Sequence, residues 1–381
     1  MTVGVAVSLW DDLVGQAQAV AELRQAVSGA AHAMTHAWLI TGPPGSGRSN
    51  AARAFAAALQ CPDGGCGACQ TCRTCLSGAH PDVTLMRTEQ LSIGVDEVRR
   101  LVRRASMAPT LGSRQVLIVE DADRVTERGA DALLKAVEEP ARRTVWLLCA
   151  PTADDVQVTI RSRCRQVNLV TPSDRAVADL LVRRDGLDRP RAEFVARLAQ
   201  GHIGRARGLA RDGQAMRRRR DVLQAVSRLT GLGQCLRQAE RLISTTQDEV
   251  ASAVAELDRR EREELSGTLV SGRGPKVRHA AVALKELADQ QQLRAKRLQR
   301  DGLDAALGQL TSYYRDVLVR QTGAGAGLIN LDFEEEIAEL ARRTSPETTV
   351  ARLDAILACR VALEGNVAPL LAVEALFVSL M

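Results

Sequence analysis

Aromatic side chains are scarce in this sequence, because tryptophan, tyrosine and phenylalanine together make up 2% of its 381 residues. So few rings argue against a surface that binds bases by stacking each of them on an aromatic side chain. Charge of either sign is not in large excess, since 51 basic and 46 acidic residues leave a net charge of +5. That excess is compatible with nucleic acid but too small to indicate it.

Long apolar runs are also missing. No stretch of about 18 apolar residues suggests a membrane span, and no charged-then-apolar leader opens the chain. We therefore expect a cytoplasmic protein with no membrane partner. With 381 residues, the chain is long enough for two or three domains of about 100–200 residues each.

Cysteine, in contrast, is concentrated in one place: five of the nine cysteines fall between Cys61 and Cys75. In a reducing cytosol such a cluster indicates metal ligands rather than disulfides, and four thiolates around Zn²⁺ form a closed structural site. By spacing alone, the simplest set is Cys66, Cys69, Cys72 and Cys75. An iron–sulfur cluster is a rival interpretation, although the ferredoxin spacing does not continue. Buried thiols without a metal are a third.

A glycine-rich loop follows the apolar strand Trp38–Thr41 and precedes the helical pattern AARAFAAAL. This order is typical of a phosphate-binding loop, in which backbone N–H groups and a helix N-terminus face an anion. The residues that would line the loop are Gly42, Gly45, Ser46, Gly47, Arg48 and Ser49. A glycine-rich turn without a ligand is the alternative interpretation.

One position of this loop departs from the motif. Arg48 stands where a lysine should reach the β- and γ-phosphates, and the two side chains are not interchangeable at a tight site. We therefore predict a loop that was inherited from an NTPase and only partly kept. The substitution argues against ATP or ADP as a working cofactor, and more strongly against nucleotide turnover.

The buried run Val116–Val119 ends in the acidic residues Glu120 and Asp121, as a Walker B element does when it holds Mg²⁺ and orients water. Strands alternate with helices over about the first 170 residues, which predicts a parallel α/β sheet with the loop at its carboxyl edge. After about residue 171 the pattern is helical, with breaks that include Ser271–Pro275. The run Arg217–Arg220 is predicted to lie on a solvated helix face or in a linker, with a phosphate contact as the alternative.

Taken together, these stretches resemble the bacterial replicative clamp-loader subunits, an AAA+ family, in the segments WDDLVGQ, HAWLITGPPGSGRS, AHPDV, VLIVEDADRV, ADALLKAVEEP and TIRSRC. The resemblance covers about the first 210 residues. It implies an α/β AAA+ (P-loop NTPase-like) module over residues 1–170 with a zinc-binding insert at 61–75. A small helical lid domain over 171–215 and an all-α collar domain over 216–381 would follow.

That family contains ATP-hydrolysing motor subunits, tau/gamma, and a non-hydrolysing anchor subunit. Four parts of the motor's ATP machinery are altered here: the loop lysine (Arg48), the Walker B order (Glu120-Asp121), the sensor threonine (Ala150-Pro151) and the second-sensor arginine (Gly204). A motor would not carry all four changes, so they favour the anchor. The alternatives are a motor in which Arg48 replaces the lysine, and a helicase-loader or Holliday-junction protein. The zinc insert and the SRC motif argue against the latter two.

The segment Ser162-Arg163-Cys164 matches the SRC motif of this family, whose arginine reaches the ATP site of a neighbouring subunit. The resemblance therefore makes Arg163 an arginine finger supplied in trans, which stabilises charge on the transferring phosphoryl group. Outside this context, a lone Ser-Arg-Cys would indicate only a surface arginine.

The resemblance also implies a zinc ligand set and a set of partners. Counting back from the His-Pro-Asp stretch makes Cys72 the last ligand, so Zn²⁺ would be held by Cys61, Cys66, Cys69 and Cys72. The implied partners are the tau/gamma motor and delta subunits, the sliding clamp and primer–template DNA, in a hetero-pentamer joined by its collar domains. No independent catalytic activity is expected of this chain.

Overall fold

A computed structural model describes residues 8–29, 33–88, 90, 92–227, 229, 231–270, 276–365 and 367–381. The chain divides into two compact units, Met1–Arg211 and Asp212–Met381. The finer division into three domains stays a prediction. The predicted break at Ser271–Pro275 lies outside the described residues.

The first unit contains five strands: β1 (Ala37–Thr41), β2 (Val83–Met86), β3 (Gln115–Val119), β4 (Thr144–Ala150) and β5 (Arg165–Asn168). They form one parallel sheet in the order β2-β3-β4-β1-β5. Every residue of β1, β3 and β4 is buried, as expected for a parallel sheet with both faces covered. The predicted parallel α/β class of this region is confirmed.

Nine helices are described in this unit: α1 (Ala17–Val27), α2 (Arg48–Gln60), α3 (Gln70–Ser77), α4 (Val95–Ala105), α5 (Glu127–Glu138), α6 (Val158–Arg161), α7 (Asp174–Asp185), α8 (Arg189–Ala199) and α9 (Ile203–Arg211). Apolar side chains of α1 and α2 cover one face of the sheet, where the rings of Trp38 and Phe55 meet edge to face at 5.0 Å. Side chains of α4 and α5 cover the other face, around Leu101, Leu133 and Trp146.

The position of β1 explains where the glycine-rich loop lies. Thr41, its last residue, pairs with Ala150 of β4 on one side and with Asn168 of β5 on the other. The carboxyl end of β1 therefore lies between two later strands, at the kind of switch point where open α/β sheets bind ligands. The loop that follows β1 starts at this edge of the sheet, as predicted.

The second unit is helical. Its helices are α10 (Gly213–Ser227), α11 (Leu232–Val270), α12 (Lys276–Thr322), α13 (Glu334–Arg343), α14 (Pro346–Glu364) and α15 (Pro369–Leu380). Their core is an apolar cluster around Tyr313, Tyr314, Phe333 and Phe377. The helical class predicted for this region is confirmed. Among the described residues of the whole chain, no helix is both long and apolar enough to cross a membrane.

The prediction of a solvated face for Arg217–Arg220 is wrong for one of its members. Arg219 is 3% exposed. It donates to Asp332 at 2.5 and 2.9 Å and to Asn330 at 2.7 Å. Four consecutive helical positions point in different directions, so one of them turns into the core, where Asp332 supplies the opposite charge that a buried guanidinium needs.

The helices α11 and α12 extend past this core. No residue of α11 described after Val254 is buried, and none is buried in α12 between residues 282 and 290. The next buried side chains of α12 are polar: Gln291 donates to the Asp258 carbonyl at 3.1 Å, and Arg294 donates to Glu261 at 2.9 Å. Polar pairing rather than apolar packing therefore joins these parts of the two helices.

Candidate functional site

The backbone of the glycine-rich loop keeps the form of a phosphate-binding loop. Gly45 and Gly47 have φ of 83° and 99°, a left-handed conformation that favours glycine. Gly47 caps α2, which begins at Arg48 and includes Ser49 in its first turn. The loop thus ends at a helix N-terminus, where an anion is stabilised.

The carbonyl groups of this loop, however, are engaged by the protein itself. The Arg48 guanidinium turns back and donates to the Gly42 carbonyl. Two further donors reach the loop, because the side-chain amide of Gln16 lies 3.3 Å from the Ser46 carbonyl and the backbone N–H of Ile203 lies 3.3 Å from the Gly45 carbonyl. The residue that replaces the motif's lysine is therefore bound to its own loop.

The Ser46 hydroxyl is the exception within the loop. Its Oγ is buried and has no hydrogen-bond partner among the described residues. Buried hydroxyls nearly always have one. The loop therefore has the backbone form and a hydroxyl that could face an anion, while the Arg48 guanidinium points at its own loop.

The predicted Walker B carboxylate is also occupied. Glu120 follows β3 and is buried, and Arg53 of α2 donates to its Oε1 from two nitrogens, at 2.9 and 3.2 Å. The mostly exposed Arg87 lies 4.0 Å from its other oxygen. A magnesium ion at this carboxylate would compete with the Arg53 guanidinium, which already balances its charge. Asp121 begins the turn that follows β3.

The cysteine cluster differs from the loop and from Glu120, because its four side chains point at one another. The Sγ of Cys61 lies 3.8 Å from those of Cys66 and Cys69, and the Sγ of Cys66 lies 4.0 Å from that of Cys72. All four sulfurs lie within 4.8 Å of one another. A tetrahedral zinc–thiolate site with Zn–S bonds of about 2.3 Å has sulfur–sulfur edges of about 3.8 Å. The cluster could therefore hold a metal ion such as zinc.

Local structure explains why these thiols meet. Cys61 directly follows α2, and Cys69 caps the N-terminus of α3, in whose first turn Cys72 lies. Backbone N–H groups point at the sulfurs, from Cys69 to Cys66 and from Cys72 to Cys69, at 3.4 Å each. Although burial acts to raise the pKa of Cys61, backbone N–H groups lower it to about 6. Such donors favour thiolates, the form in which cysteine binds metal.

Cys75 is not part of this group of four sulfurs. It lies one turn further along α3 than Cys72, with 1% of its surface exposed. Burial raises the pKa of its thiol to about 12. Of the two sets that the sequence offers, the structure brings together the one that starts at Cys61, while the role of its members as ligands stays a prediction.

Arg163 lies between α6 and β5, far along the chain from the loop. Its guanidinium donates to the Thr159 carbonyl at 2.7 Å and to Ser162 Oγ at 3.2 Å, and it forms an ion pair with Glu138 at the end of α5. The Arg163 and Glu138 side chains are 39% and 36% exposed. Arg163 is thus held at the surface of the first unit, and its action on a neighbour's nucleotide stays a prediction.

Sequence reasoning missed three residues that shape this region: Arg53, His202 and Asp82. Arg53 neutralises Glu120, and His202 lies against the loop at Gly45. Asp82, in the segment AHPDV, is buried and accepts three backbone N–H groups of residues 110–112 at 2.6–2.7 Å. Burial opposes its ionisation, yet these donors lower the pKa of Asp82 below its usual value. The Asp82 carboxylate of the His-Pro-Asp stretch thereby fixes the loop at residues 110–112.

Comparison with known proteins finds family models and relatives that match parts of this chain. Residues 15–173 match the family described as DNA polymerase III, delta subunit, and residues 283–379 match DNA polymerase III, delta subunit, C terminal. A Pseudomonas aeruginosa protein named DNA polymerase III subunit delta' is 35% identical over 46% of this chain and 51% of its own length. A Mycobacterium tuberculosis protein named DNA polymerase III subunit gamma/tau is 34% identical over 45% of this chain and 30% of its own length.

This chain thus spans about half the length of the P. aeruginosa relative and less of the M. tuberculosis one. Among solved structures, a DNA polymerase III, gamma subunit-related protein of Thermotoga maritima aligns over 95% of this chain and 98% of its own, with 15% identity and a TM-score of 0.41. Two separate stretches of this chain are thus similar to DNA polymerase III delta subunits, one at residues 15–173 and one at residues 283–379.

Proposed function

We propose that this protein is the non-hydrolysing anchor, or delta-prime, subunit of a DNA polymerase III clamp loader. In this role it would help to load the sliding clamp onto primed DNA in the cytoplasm, together with tau/gamma motor and delta subunits in a hetero-pentamer. It would have no catalytic activity of its own. The relatives named delta' in P. aeruginosa and Escherichia coli, at 35% and 32% identity, support this assignment.

The observation that carries the proposal is the state of the two ATP-binding elements. Arg48 is bound to the loop carbonyl of Gly42, and Glu120 is bound to Arg53. In a working ATPase the loop cation contacts the phosphates and the Walker B carboxylate holds Mg²⁺. Here both charged groups already have protein partners, which favours an anchor over a motor.

Arg163 is the residue through which we propose that this subunit still takes part in ATP hydrolysis. It is half-exposed at the surface of the first unit, where its charged partner is the exposed carboxylate of Glu138. Exposed ion pairs contribute about 1 kcal/mol or less. A phosphate of a neighbouring subunit, which accepts both arms of a guanidinium, can therefore replace Glu138 at small energetic cost.

The second unit supplies a surface suited to assembly. On α14, the exposed face carries Val350, Leu357 and Val361, which are 44%, 60% and 59% exposed. Their spacing places them on one stripe of the helix. On α15, Leu371 is 61% exposed. Apolar stripes of this kind favour contact with helices of partner subunits, and we assign them to the collar of the complex.

The cysteine cluster is proposed to hold one structural Zn²⁺ through Cys61, Cys66, Cys69 and Cys72. When bound, the ion would cross-link the end of α2 to the start of α3 and supply folding energy to a segment with little apolar core of its own. All four positions of a tetrahedral ion would be filled by thiolates, which leaves no open position for catalysis.

The alternative is an ATP-hydrolysing motor of the tau/gamma type. The reason to consider it is the 34% identity to a gamma/tau protein. A nucleotide-binding and ATPase assay on the isolated chain separates the two proposals. An anchor is expected to show turnover at background level. Steady-state turnover near 1 s⁻¹, the low end for enzymes, would favour the motor.

The sharper experiment replaces Arg163 in a loader reconstituted from all its subunits. Arg163→Ala should leave assembly and zinc content unchanged and should lower the ATPase activity stimulated by DNA and clamp. An arginine finger accelerates one site by roughly 10³–10⁵-fold, but the loss should be partial because motor–motor interfaces keep their own arginines. Arg163→Lys should rescue poorly, since a point charge cannot donate in a fork.

A matched control lies two residues away. Arg161, whose side chain is 28% exposed, forms an ion pair with Asp154, so Arg161→Ala removes a neighbouring arginine without touching the SRC position. It should leave the stimulated ATPase unchanged. Equal rates for the wild-type loader and the Arg163→Ala loader would show that Arg163 is structural here.

A further inference from the structure

The imidazole of His202 occupies the space directly above Gly45 of the phosphate loop. A methyl group at Gly45 would lie 2.2 Å from Cγ and 2.4 Å from Nδ1 of His202, distances at which no side chain fits. The next residue, Ile203, donates its backbone N–H to the Gly45 carbonyl at 3.3 Å. The start of α9 is therefore joined to the loop by a ring and by a hydrogen bond.

A second contact fixes the orientation and the protonation of that ring. Nδ1 of His202 accepts the backbone N–H of Arg205 at 3.1 Å, which caps the N-terminus of α9. Because Nδ1 accepts, the ring is neutral and its proton is on Nε2. A neutral ring that caps one helix and lies against the loop preceding another connects the two elements through one side chain.

The charged groups that face this ring all lower its pKa. Burial lowers the pKa of His202, and the guanidinium groups of Arg205 on α9 and Arg48 on α2 lower it further. The same Arg48 holds the Gly42 carbonyl. Burial and two cations thus keep the imidazole uncharged beside the loop.

We propose that Gly45, His202 and Ile203 form a latch that fixes the small helical segment α7–α9 on the phosphate loop without any nucleotide. In this latch the neutral imidazole fills the space directly beside Gly45. The segment α7–α9 then has one position relative to the sheet, set by the protein's own side chain.

The latch is one of several contacts between the segment α7–α9 and the rest of the first unit. A substitution at another of these contacts can therefore serve as a control. Arg184 of α7 forms an ion pair with Asp12 at 2.5 Å, and both side chains are more than 40% exposed. An exposed pair of this kind contributes little. Arg184→Ala therefore serves as a control that loosens the same boundary at a site away from the loop.

The test is hydrogen–deuterium exchange of the full-length chain, followed in peptides that cover residues 201–211. His202→Asn keeps a side chain that can cap α9 but removes the ring from Gly45, whereas His202→Ala removes both the cap and the ring. If the latch exists, both variants should exchange roughly tenfold faster than wild type in these peptides, since opening becomes easier. Arg184→Ala should exchange as wild type does.

Two results would overturn the latch. Wild-type exchange in His202→Asn with faster exchange in His202→Ala would reduce the role of His202 to helix capping. Unchanged exchange in both variants would remove the role altogether. The latch concerns the isolated chain, so its failure leaves the anchor proposal, which is tested by the loader's ATPase, untouched.

A second measurement needs no variant and covers the case in which the substitutions prevent folding. If Nδ1 of His202 were protonated, its N–H would face the backbone N–H of Arg205, and the two donors would repel each other. The charged ring would also lie beside the Arg48 guanidinium. The exchange rate of residues 201–211 in the wild-type chain, corrected for intrinsic rates, should therefore increase as the pH is lowered from about 7.5 to about 5.5. Corrected exchange that stays constant across this range would contradict the latch.

Discussion

The cysteine cluster and the phosphate loop lie at opposite ends of the same helix, α2, and differ in what their polar groups face. At the end of α2, four thiols point at one another, with sulfur–sulfur distances of 3.8–4.0 Å. At its start, Arg48 binds a loop carbonyl and His202 covers Gly45. In the first site the side chains converge on one another, whereas the second is closed by side chains from elsewhere in the first unit.

This difference shows that a motif in a sequence can be kept for two different reasons. The sulfurs of the cluster lie close enough together for one metal ion to contact all four of them. The glycines of the loop are still required by their positive φ and by the ring above Gly45, even with no nucleotide present. Retention of a phosphate loop therefore indicates a fold more reliably than it indicates hydrolysis.

The largest effect is expected from removal of one ligand of the cluster. Cys72→Ser should abolish metal binding and destabilise the first unit by more than about 4 kcal/mol, because loss of a structural metal is among the most damaging single changes. Cys75→Ser is the matched control, since Cys75 is buried on the same helix but outside the group of four. Metal analysis and urea unfolding of both variants check this. Retention of zinc by Cys72→Ser with loss in Cys75→Ser would reverse the assignment.

A smaller effect is expected at the other end of α2. Arg53→Ala would leave Glu120 buried without its main partner, which should cost about 2 kcal/mol of unfolding free energy, less than for a fully buried pair because Arg53 is 28% exposed. Arg87→Ala, which removes the distant and mostly exposed second cation, should cost less than about 0.5 kcal/mol. Equal stabilities of the two variants in urea would show that Arg53 does not hold Glu120 in solution.

A modest pH dependence should follow from His202. Its pKa is lowered in the folded protein by burial and by Arg205 and Arg48, so the unfolded chain binds more protons at mildly acidic pH. The contribution of the neutral ring is therefore complete above the unfolded pKa of about 6.5 and is lost as the pH falls below it toward the lower folded value. Unfolding free energies measured across this range should fall more steeply for wild type than for His202→Asn. Parallel curves for the two proteins would contradict the shift.

The smallest change is expected from restoring the motif. Arg48→Lys supplies the missing lysine, but Glu120 stays paired with Arg53 and His202 stays above Gly45. We therefore expect ATPase activity to remain at background, measured by steady-state phosphate release. If this one substitution produced turnover near 1 s⁻¹, the loop would be intact apart from its lysine, and the contrast with the cluster would disappear.

The sequence predicted those features that depend on neighbouring residues. The strand, loop and helix around Gly45 are close in sequence, and so are the four cysteines, which lie within one short segment. The pairing of Arg53 with Glu120 joins residues 67 positions apart, and no local spacing reports such a contact. The same holds for His202 above Gly45 and for Arg219 with Asp332, because these contacts arise only when distant elements pack together.

The polar pairing of α11 and α12 has a consequence for how this protein can diverge between species. Among the described residues, none of α11 after Val254 and none of α12 between residues 282 and 290 has a buried side chain. A turn can therefore be added to both helices, or removed from both, without opening a cavity, whereas a deletion beside Tyr313 would disrupt the apolar core. This hairpin is the place where chain length can drift at little cost to folding. It is also where a reporter domain could be inserted for imaging or purification.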